Sequence, residues 1–366
     1  MRMIRIPVRT PSRPYDVLLA SGLLARAGEH LAEIVGKRRV FVITVPPVRR
    51  RWGKVLLQSL RDAGMQPDVL QMADGERFKR LATLEKLAES LIKLGADRNA
   101  ILIALGGGVT CDVTGFLASV YMRGLDVIQI PTTVLAQVDA AIGGKTGVNL
   151  RSGKNLLGTF HQPRAVLIDP NVLATLPSRE YRAGLYESLK CGIIGNAGLF
   201  VLFEERRKEI LDRDPLVIEK VITESVRLKA RVVSADEREG GLRQVLNLGH
   251  TIGHALEAET RYTQLLHGEA VAWGMIAATH VAKSTGRLDG ATRERIIAAI
   301  LGFGKLPRMK VQTKGVLNRL LSDKKTRQGV VHFVLPTQIG RVEITSDVPA
   351  EVVRSAVDEI RKLAQR

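Results

Sequence analysis

The sequence predicts an α/β domain with a mostly parallel sheet, followed by an almost wholly helical domain. In the first half, short apolar runs alternate with amphipathic helical stretches, which is the pattern of βα units. From about Ser178 to Gly304 the periodicity is almost entirely helical. A chain of 366 residues is too long for one small core and suits two domains. We therefore expect domains at residues 1–179 and 180–366.

The individual elements follow from these runs in order. Strands are predicted at RVFVIT, DVLQM, AILIAL, DVIQI and AVLID, which occupy residues 39–44, 68–72, 100–105, 126–130 and 165–169. Between the second and third of them, LATLEKLAESLIKLG (81–95) has the apolar spacing of a helix. Near the end of the chain, VVHFVL (330–335) and RVEIT (341–345) predict a hairpin, and a final helix is expected from Pro349.

Composition narrows the class of protein. The 45% hydrophobic content indicates a globular chain, and no segment has the roughly 18 uninterrupted apolar residues of a membrane span. The charged start MRMIRIPVRT lacks the apolar run of a signal peptide, so we expect a soluble, cytoplasmic protein. Cys111 and Cys191 are too few for a disulfide framework and are expected to be buried thiols.

The net charge of +18 admits a nucleic-acid partner. However, the basic residues are spread along the chain, and aromatic residues make up only 4% of it, which leaves few rings for base stacking. A small substrate that carries phosphate and carboxylate groups accounts for the same excess of Lys and Arg. We therefore expect a small-molecule partner rather than a nucleic acid or a membrane.

A glycine-rich turn, ALGGGVTCD (104–112), ends a predicted strand and enters a helix. Gly106 and Gly108 match the dinucleotide fingerprint G-x-G-x-x-G, whose last position is Cys111 here. Such a turn lets the backbone approach a pyrophosphate at a helix N-terminus, although glycine turns after strands are common. Further along, Thr132 and Thr133 follow a strand, where a hydroxyl either caps a helix or contacts a cofactor.

Lys145 and Lys154 are expected in Gly- and Asn-rich loops, a context that favours anion binding. In NLGHTIGHALE (247–257), His250 and His254 are four residues apart, so both imidazoles lie on one helix face and predict a metal site. A second ligand set is Glu187, His250 and His267, which has the makeup of a catalytic zinc site with an open position. The spacing of these residues does not decide which of the two sets binds the metal.

Eight motifs, in this order and at these distances, resemble the 3-dehydroquinate synthase family. They are GGGVTCD, YMRG, PTTVLAQVD, GGKTGVN, GKNLLGTFHQP, AGLYESLK, NLGHTIGHALE and LHGEAVA, and the resemblance extends from DGERFK (74–79) to DKK (323–325). It implies an NAD-binding α/β domain followed by a helical metal-binding domain, usually in a homodimer. So many motifs in one order make the resemblance far more specific than any single motif.

The implied reaction converts 3-deoxy-D-arabino-heptulosonate 7-phosphate to 3-dehydroquinate and phosphate in the shikimate pathway. NAD transiently oxidises the carbon 5 hydroxyl, phosphate leaves, the hydride returns, and an intramolecular aldol addition closes the ring. The alternatives within the fold are another sugar-phosphate cyclase and a metal-dependent polyol dehydrogenase. A nucleic-acid-binding protein is the alternative from another class.

The resemblance also assigns residues. The metal ligands would be Glu187, His250 and His267, holding Zn²⁺ or alternatively Co²⁺ or another divalent ion. The NAD contacts would be Asp74, Glu76, Lys79, Gly106, Gly107, Gly108, Val109, Asp112, Thr132, Thr133, Lys145, Lys154, Val172, Leu173 and Thr175. The substrate contacts would be Arg123, Asp139, Lys145, Asn155, Lys190, Lys229, Arg243, Asn247, His254 and one of Lys324 or Lys325.

Overall fold

The computed structural model describes residues 3–322 and 331–365. The chain divides into two compact units: unit 1 comprises residues 1–177 and 229–238, and unit 2 comprises residues 178–228 and 239–366. The first boundary falls two residues before the boundary expected after residue 179. The segment Lys229–Arg238, which lies within the expected second domain, belongs to unit 1.

A seven-stranded sheet forms the centre of unit 1. Its strands are β1 (Ile4–Val8), β2 (Tyr15–Leu19), β3 (Val40–Thr44), β4 (Pro67–Gln71), β5 (Ile101–Gly106), β6 (Asp126–Pro131) and β9 (Ala165–Ile168), while β7 (Lys145–Leu150) and β8 (Gly153–Phe160) form a separate ribbon. The strand order is β1-β2-β9-β6-β5-β3-β4, and only the β1–β2 pair is antiparallel. The five predicted strands are therefore confirmed, whereas the β1–β2 hairpin was not foreseen.

Helices cover this sheet and supply its core. They are α1 (Ala27–Val35), α2 (Pro46–Val48), α3 (Lys54–Asp62), α4 (Leu81–Lys93) and α5 (Gly108–Val120). The predicted helix at 81–95 is thus confirmed as α4, and its Leu84, Leu87 and Leu91 pack in one cluster with Phe116 of α5. Since α5 begins directly after β5, its N-terminus lies at the carboxyl ends of the parallel strands, where α/β folds bind ligands.

The β7–β8 ribbon corrects the prediction that Lys145 and Lys154 lie in loops, because both residues are within strands. The glycines there read as loop residues in the sequence. In the structure they allow the two strands to approach, since a Cβ atom on Gly158 would lie 2.0 Å from the carbonyl oxygen of Thr146. Side chains are therefore excluded from this position by the neighbouring backbone.

Among its described residues, unit 2 is helical apart from one hairpin. Its elements are α6 (Ser178–Gly195), α7 (Ala197–Glu205), α8 (Arg207–Leu211), most of α9 (Pro215–Ala235), α10 (His250–Glu259), α11 (His267–Ser284), α12 (Gly290–Leu301), α13 (Thr313–Ser322), β10 (Phe333–Gln338), β11 (Arg341–Thr345) and α14 (Ala350–Gln365). The predicted hairpin and final helix are confirmed, although Val330 lies outside the described residues. Helix α11 is buried on nearly all sides, as its continuous apolar sequence requires. No helix in the described ranges is long and apolar enough to cross a membrane.

The segment Lys229–Arg238 is tied to unit 1 by polar contacts. Ser234 Oγ accepts a hydrogen bond of 2.8 Å from the backbone N–H of Arg9. Glu237 accepts from the backbone N–H of Ser12 at 3.1 Å and from Nε2 of Gln162 at 2.9 Å. These bonds join positions that are far apart in the sequence, which is why no local pattern predicts them.

Asp126, at the amino end of β6, contacts three arginines. Its carboxylate lies 2.6 Å from Nη1 of Arg38, 2.7 Å from Nη1 of Arg13 and 3.6 Å from Nε of Arg164. Burial alone would raise the pKa of Asp126, but the hydrogen bond from Arg38 and the charges of the other arginines lower it below its ordinary value. Since the unfolded pKa is about 4, the ionised carboxylate stabilises the fold above that pH, and this contribution is lost as the pH falls through the lowered pKa.

We therefore expect Asp126→Asn to reduce the free energy of unfolding at pH 7 by roughly 1–3 kcal/mol, because the arginines lose a charged acceptor. Urea unfolding at pH 7 and near pH 3 measures the effect, which should shrink at the lower pH. The control Asp62→Asn changes an exposed residue that accepts only from Gln58 among the described residues, and its effect should stay within about 0.5 kcal/mol. An Asp126→Asn deficit of equal size at both pH values would contradict the ion-pair explanation.

Candidate active site

Three helices of unit 2 approach one another at glycines. A Cβ atom on Gly268, in α11, would lie 1.8 Å from the carbonyl oxygen of Ala183 in α6. One on Gly274 would lie 1.9 Å from the carbonyl oxygen of Gly249, the residue before α10. Only glycine permits backbones to meet so closely. As a result, the first residues of α10 and α11, which are both histidines, lie beside the middle of α6.

Glu187, His250 and His267 meet at this crossing. The Oε1 atom of Glu187 lies 3.7 Å from Nε2 of His250 and 3.7 Å from Nε2 of His267. Glu187 is 1% exposed, and its Oε1 has no hydrogen-bond partner among the described residues. His254 belongs to the same cluster, since ligand atoms of the three histidines lie within 4.8 Å of one another. Three elements that are distant in sequence thus supply one group of metal-ligating atoms.

These residues fit a divalent metal ion. Ligand atoms around a tetrahedral zinc at about 2.1 Å are separated by about 3.4 Å, close to the distances found here. A buried carboxylate oxygen without a donor is unfavourable, and a cation between the three groups removes that cost. His250 has its Nδ1 atom 3.2 Å from the carbonyl oxygen of Leu248, so Nδ1 carries the proton and Nε2 has a lone pair for a metal. Distances alone admit either ligand set, with or without His254.

Lys190 and Arg243, two of the candidate substrate contacts in unit 2, are buried cations with 2% and 1% exposure. Nζ of Lys190 donates to Oε2 of Glu187, the carboxylate oxygen that does not face the histidines. Arg243 lies in the 3₁₀ turn Leu242–Asn247, which ends just before His250. Lys190 therefore contacts the metal-ligating group directly, and Arg243 lies in the turn that precedes one of its ligands.

Asn247 has a partner that the sequence did not indicate. Its Nδ2 atom donates to Oε1 of Glu239 at 2.9 Å. Glu239 adopts the left-handed backbone conformation, with φ 60°, in the loop before the 3₁₀ turn. Because it lies in irregular backbone, no helical or strand spacing relates it to Asn247 in the sequence.

In unit 1, the glycine-rich turn leads directly into α5. Gly107 is the residue before the helix, and as a glycine it has no side chain to cap the first turn. A Cβ atom on Gly107 would lie 3.1 Å from Cγ2 of Thr133, and one on Gly108 would lie 3.3 Å from Cβ of Ala140. The glycines thus keep open a helix N-terminus that is suited to a pyrophosphate.

Two other residues of this region have structural contacts of their own. Thr133 Oγ1 accepts from the backbone N–H of Ala136 at 3.1 Å, so its hydroxyl caps the turn Ala136–Ala140. Cys111, at the last fingerprint position, is buried with its Sγ 3.8 Å from the carbonyl oxygen of Gly106. Burial, reinforced by the nearby Asp112, raises the pKa of this thiol strongly, so it stays protonated at neutral pH. Cys191 is likewise buried, which confirms the prediction for both cysteines.

Lys79 connects two of the predicted sites. It is 4% exposed, and its Nζ donates to Oδ2 of Asp112 and to Oδ1 of Asn155. Burial raises the pKa of Asp112, although the charge of Lys79 opposes the shift. One ammonium group therefore joins a candidate cofactor contact on α5 to a candidate substrate contact on β8.

Asn149 extends this network and was missed by the sequence analysis, although it lies within the GGKTGVN motif. Its Nδ2 donates to Oε1 of Glu76 at 2.7 Å, and its Oδ1 accepts from the backbone N–H of Asn155 at 2.9 Å. Nζ of Lys154 lies 3.9 Å from the same Glu76 oxygen. Because each contact joins a different element, none follows from periodicity.

The remaining candidates of unit 1 differ in exposure. Asp139 forms an ion pair with Lys229, whose Nζ also donates to the backbone carbonyl of Asp139 at 2.6 Å. Val172 and Leu173 are buried, with 2% exposure each. Asp74 is exposed, Val109 is half-buried in α5, and Thr132 is buried directly after β6. Lys145 is the first residue of β7. The Oγ1 atom of Thr175 accepts a hydrogen bond of 3.0 Å from Nε1 of Trp52. Lys324 and Lys325 lie outside the described residues.

Arg123 is separated from the other candidates of unit 1. It lies between α5 and β6, at the amino ends of the parallel strands, in a cavity that it shares with Arg13, Arg38 and Arg98. The glycine-rich turn lies at the carboxyl ends, and β5 has six residues, so the two sites are about 20 Å apart. Within one chain, Arg123 therefore does not join the site at the carboxyl ends of the strands.

Comparison with known protein families gives matches over both units. The sequence profile described as 3-dehydroquinate synthase N-terminal matches residues 69–183, and the profile described as 3-dehydroquinate synthase C-terminal matches residues 184–326. The 3-dehydroquinate synthase of Koribacter versatilis is 54% identical over 99% of both chains. That of Solibacter usitatus is 50% identical over 96% of this chain and 97% of its own.

Solved structures with similar folds include two related cyclases. The 2-epi-5-epi-valiolone synthase ValA of Streptomyces hygroscopicus, with NAD⁺ and Zn²⁺ bound, is 31% identical with a TM-score of 0.88, over 95% of this chain and 97% of that one. A 2-deoxy-scyllo-inosose synthase with carbaglucose-6-phosphate, NAD⁺ and Co²⁺ is 25% identical with a TM-score of 0.83, over 98% and 99%. The glycerol dehydrogenase of Schizosaccharomyces pombe, at 16% identity and a TM-score of 0.70, shares the fold alone.

Substitution of single histidines distinguishes the two possible ligand sets. We expect His250→Ala to lose bound zinc after desalting, whereas His254→Ala keeps it and loses catalytic rate, if Glu187, His250 and His267 are the ligands. Zinc content by elemental analysis is the measurement. His280→Ala, which changes a histidine of α11 that contacts Ser355, is the matched control and should retain metal. Equal zinc loss in His250→Ala and His254→Ala would instead favour the pair four residues apart.

Proposed function

The chain belongs to the 3-dehydroquinate synthase family, and we propose that it converts 3-deoxy-D-arabino-heptulosonate 7-phosphate to 3-dehydroquinate and phosphate. This makes it a carbon–oxygen lyase of the shikimate pathway, which leads to chorismate and the aromatic amino acids. The observation that carries the proposal is 54% identity to a 3-dehydroquinate synthase over nearly the whole length of both chains. The other cyclases named above are less similar, at 31% and 25% identity.

Glu187, His250 and His267 would hold Zn²⁺, or Co²⁺ in its place. The support is the buried Glu187 oxygen that faces two Nε2 atoms at 3.7 Å and has no donor among the described residues. A divalent ion there supplies Lewis-acid polarisation of a substrate oxygen. Lys190 orients the Glu187 carboxylate by its ion pair with the opposite oxygen.

Unit 1 would hold NAD at the glycine-rich turn, with the first turn of α5 directed at the pyrophosphate. NAD supplies a hydride acceptor that is restored at the end of each cycle, so the net reaction is an elimination with ring closure. Glu76, Lys79, Asp112 and Lys154 would flank the cofactor. In the structure a hydrogen bond joins Lys79 to Asp112, and an ion pair joins Lys154 to Glu76. The assignment gives the cofactor to the first domain and the metal to the second.

The substrate carries a carboxylate and a phosphate, and the proposed contacts are rich in cations. Lys190 and Arg243 are buried, so their charges are little screened by solvent and bind anionic oxygens strongly. Asn155 and Asn247 add amide groups that hydrogen-bond to hydroxyls. His254 would act as a hydrogen-bonding or proton-handling group near the phosphate. As implied by the family, the departing phosphate itself takes the proton.

Phosphate release from the heptulosonate phosphate tests the proposal. We expect release by purified protein to require both NAD and a divalent metal, without net accumulation of NADH, because the hydride returns to the substrate. The assay omits NAD and metal in turn and follows phosphate and NADH absorbance together. Net NADH formation with glycerol, and no phosphate release, would identify a polyol dehydrogenase instead. Tight DNA binding with a steep salt dependence and no cyclase activity would favour a nucleic-acid-binding protein.

The proposal includes a cytoplasmic location, where NAD and sugar phosphates are available, and a homodimer. The position of Arg123 supports the dimer. Since Arg123 lies about 20 Å from the glycine-rich turn of its own chain, at the other ends of the strands, we assign its substrate contact to the active site of a second copy. In a twofold dimer such an exchange is reciprocal, so each subunit donates one arginine.

Mixed dimers of two inactive variants test this exchange. Arg123→Ala and His254→Ala are co-expressed with different tags, and the heterodimer is isolated. One of its two sites then has every residue intact, so we expect about half of the wild-type activity per dimer. The control heterodimer of Asn247→Ala with His254→Ala has one defect in each site and should remain inactive. If both heterodimers are inactive, Arg123 acts within its own chain.

A further inference from the structure

Glu257, near the end of α10, is another buried carboxylate of unit 2. It is 1% exposed, and its Oε2 atom lies 3.2 Å from Nδ1 of His267. Its backbone carbonyl accepts from Tyr262 N at 2.7 Å and from Thr260 Oγ1 at 3.1 Å. Any residue at position 257 provides those backbone bonds, so they do not explain a carboxylate. The contact with His267, by contrast, is made by the side chain.

The contact determines which ring nitrogen of His267 carries the proton. A carboxylate only accepts hydrogen bonds, so Nδ1 must be protonated when it faces Glu257. The lone pair of the neutral ring is then on Nε2, the atom 3.7 Å from Oε1 of Glu187. For His250 the same task falls to the backbone carbonyl of Leu248, at 3.2 Å from Nδ1. The two imidazoles are therefore oriented by different groups, one neutral and one charged.

The charged groups around the histidines also favour a divalent metal ion at this site. Glu187 and Glu257 bring two buried carboxylates to the histidines, and Lys190 brings one ammonium group, which bonds to Glu187. A divalent cation is attracted by both carboxylates, by Glu187 through direct contact and by Glu257 through the His267 ring. A carboxylate behind an imidazole also makes the metal-facing nitrogen a stronger donor.

We propose that Glu257 is a positioning residue of the metal site: it holds His267 in the tautomer and orientation that present Nε2 to the metal. The inference rests on the proposed ligand set of Glu187, His250 and His267. It does not require Glu257 to touch the metal or the substrate. Its effect is therefore exerted on metal affinity and on the geometry of one ligand.

Metal affinity of the full-length protein tests this role. Glu257→Gln replaces the carboxylate by an amide of the same shape, and we expect Zn²⁺ affinity, measured by chelator competition, to fall about 10–100-fold. Glu257→Asp keeps the charge but is one methylene too short to reach Nδ1, so it should also lose affinity. Glu259→Gln, two residues away on α10 and beside Arg319, is the matched control and should bind zinc like the wild type. Urea unfolding of the metal-free proteins checks that each variant is folded.

Two further measurements separate positioning from general packing. In Co²⁺-loaded protein, the visible absorption bands report the ligand geometry, and Glu257→Gln should shift them whereas Glu259→Gln should not. In a His267→Ala background, Glu257→Gln should cause no further loss of zinc affinity, because Glu257 acts through that ring. A full additional loss in this background would overturn the proposal, as would wild-type affinity in Glu257→Gln or Glu257→Asp.

Failure of this inference is distinguishable from failure of the metal site itself. If His250→Ala releases zinc but Glu257→Gln binds it normally, the ligand set stands and the role of Glu257 is rejected. If His250→Ala, His267→Ala and Glu187→Gln all bind zinc normally, the proposed site fails and the inference fails with it.

Discussion

The buried carboxylate of Glu187 is the group on which the arrangement of unit 2 depends. One oxygen pairs with Lys190, and the other faces two imidazole nitrogens without a hydrogen-bond donor among the described residues. Such a group is costly in a protein interior unless a cation balances it. The glycines of α11 allow the helices to approach closely enough for Glu187 and the histidines to share one ion. The close packing of these helices and the binding of a metal ion therefore both require glycine at these positions of α11.

In unit 1 the candidate residues are held in position by a network of hydrogen bonds. Instead of one carboxylate oxygen without a donor among the described residues, it has a network in which Lys79 bonds to Asp112 and Asn155. Asn149 continues that network to Glu76. Asp112 lies on α5, Asn149 and Asn155 lie on the β7–β8 ribbon, and Glu76 lies in a 3₁₀ turn. Hydrogen bonds therefore join side chains from three kinds of element. A site of this kind is ordered by its own hydrogen bonds, so little side-chain entropy remains to be lost on binding.

The sequence predicted the regular parts of this fold because their patterns are local. Alternating apolar runs identified five strands of the main sheet, and the motifs of the helical half identified the residues of the metal cluster. The glycines of the β7–β8 ribbon predict loops, but Gly158 instead allows two strands to approach closely, and a sequence pattern does not distinguish this use of glycine from a turn. Glu257, Glu239 and Asn149 were missed because their contacts join residues without a regular spacing. The separation of Arg123 from the glycine-rich turn follows from the direction of α5, which returns the chain from the carboxyl ends of the parallel strands to their amino ends.

Because Lys229–Arg238 belongs to unit 1, a cut near residue 177 separates residues that are in contact. A gene fragment that ends near residue 177 would contain Asp139 without Lys229, and Gln162 without Glu237. The complementary fragment would contain Lys229 without Asp139 and Glu237 without Gln162. Recombination between relatives at the apparent domain boundary would therefore join halves whose polar contacts were selected in different parents. Such exchanges should succeed only when residues 229–238 are inherited with the first half.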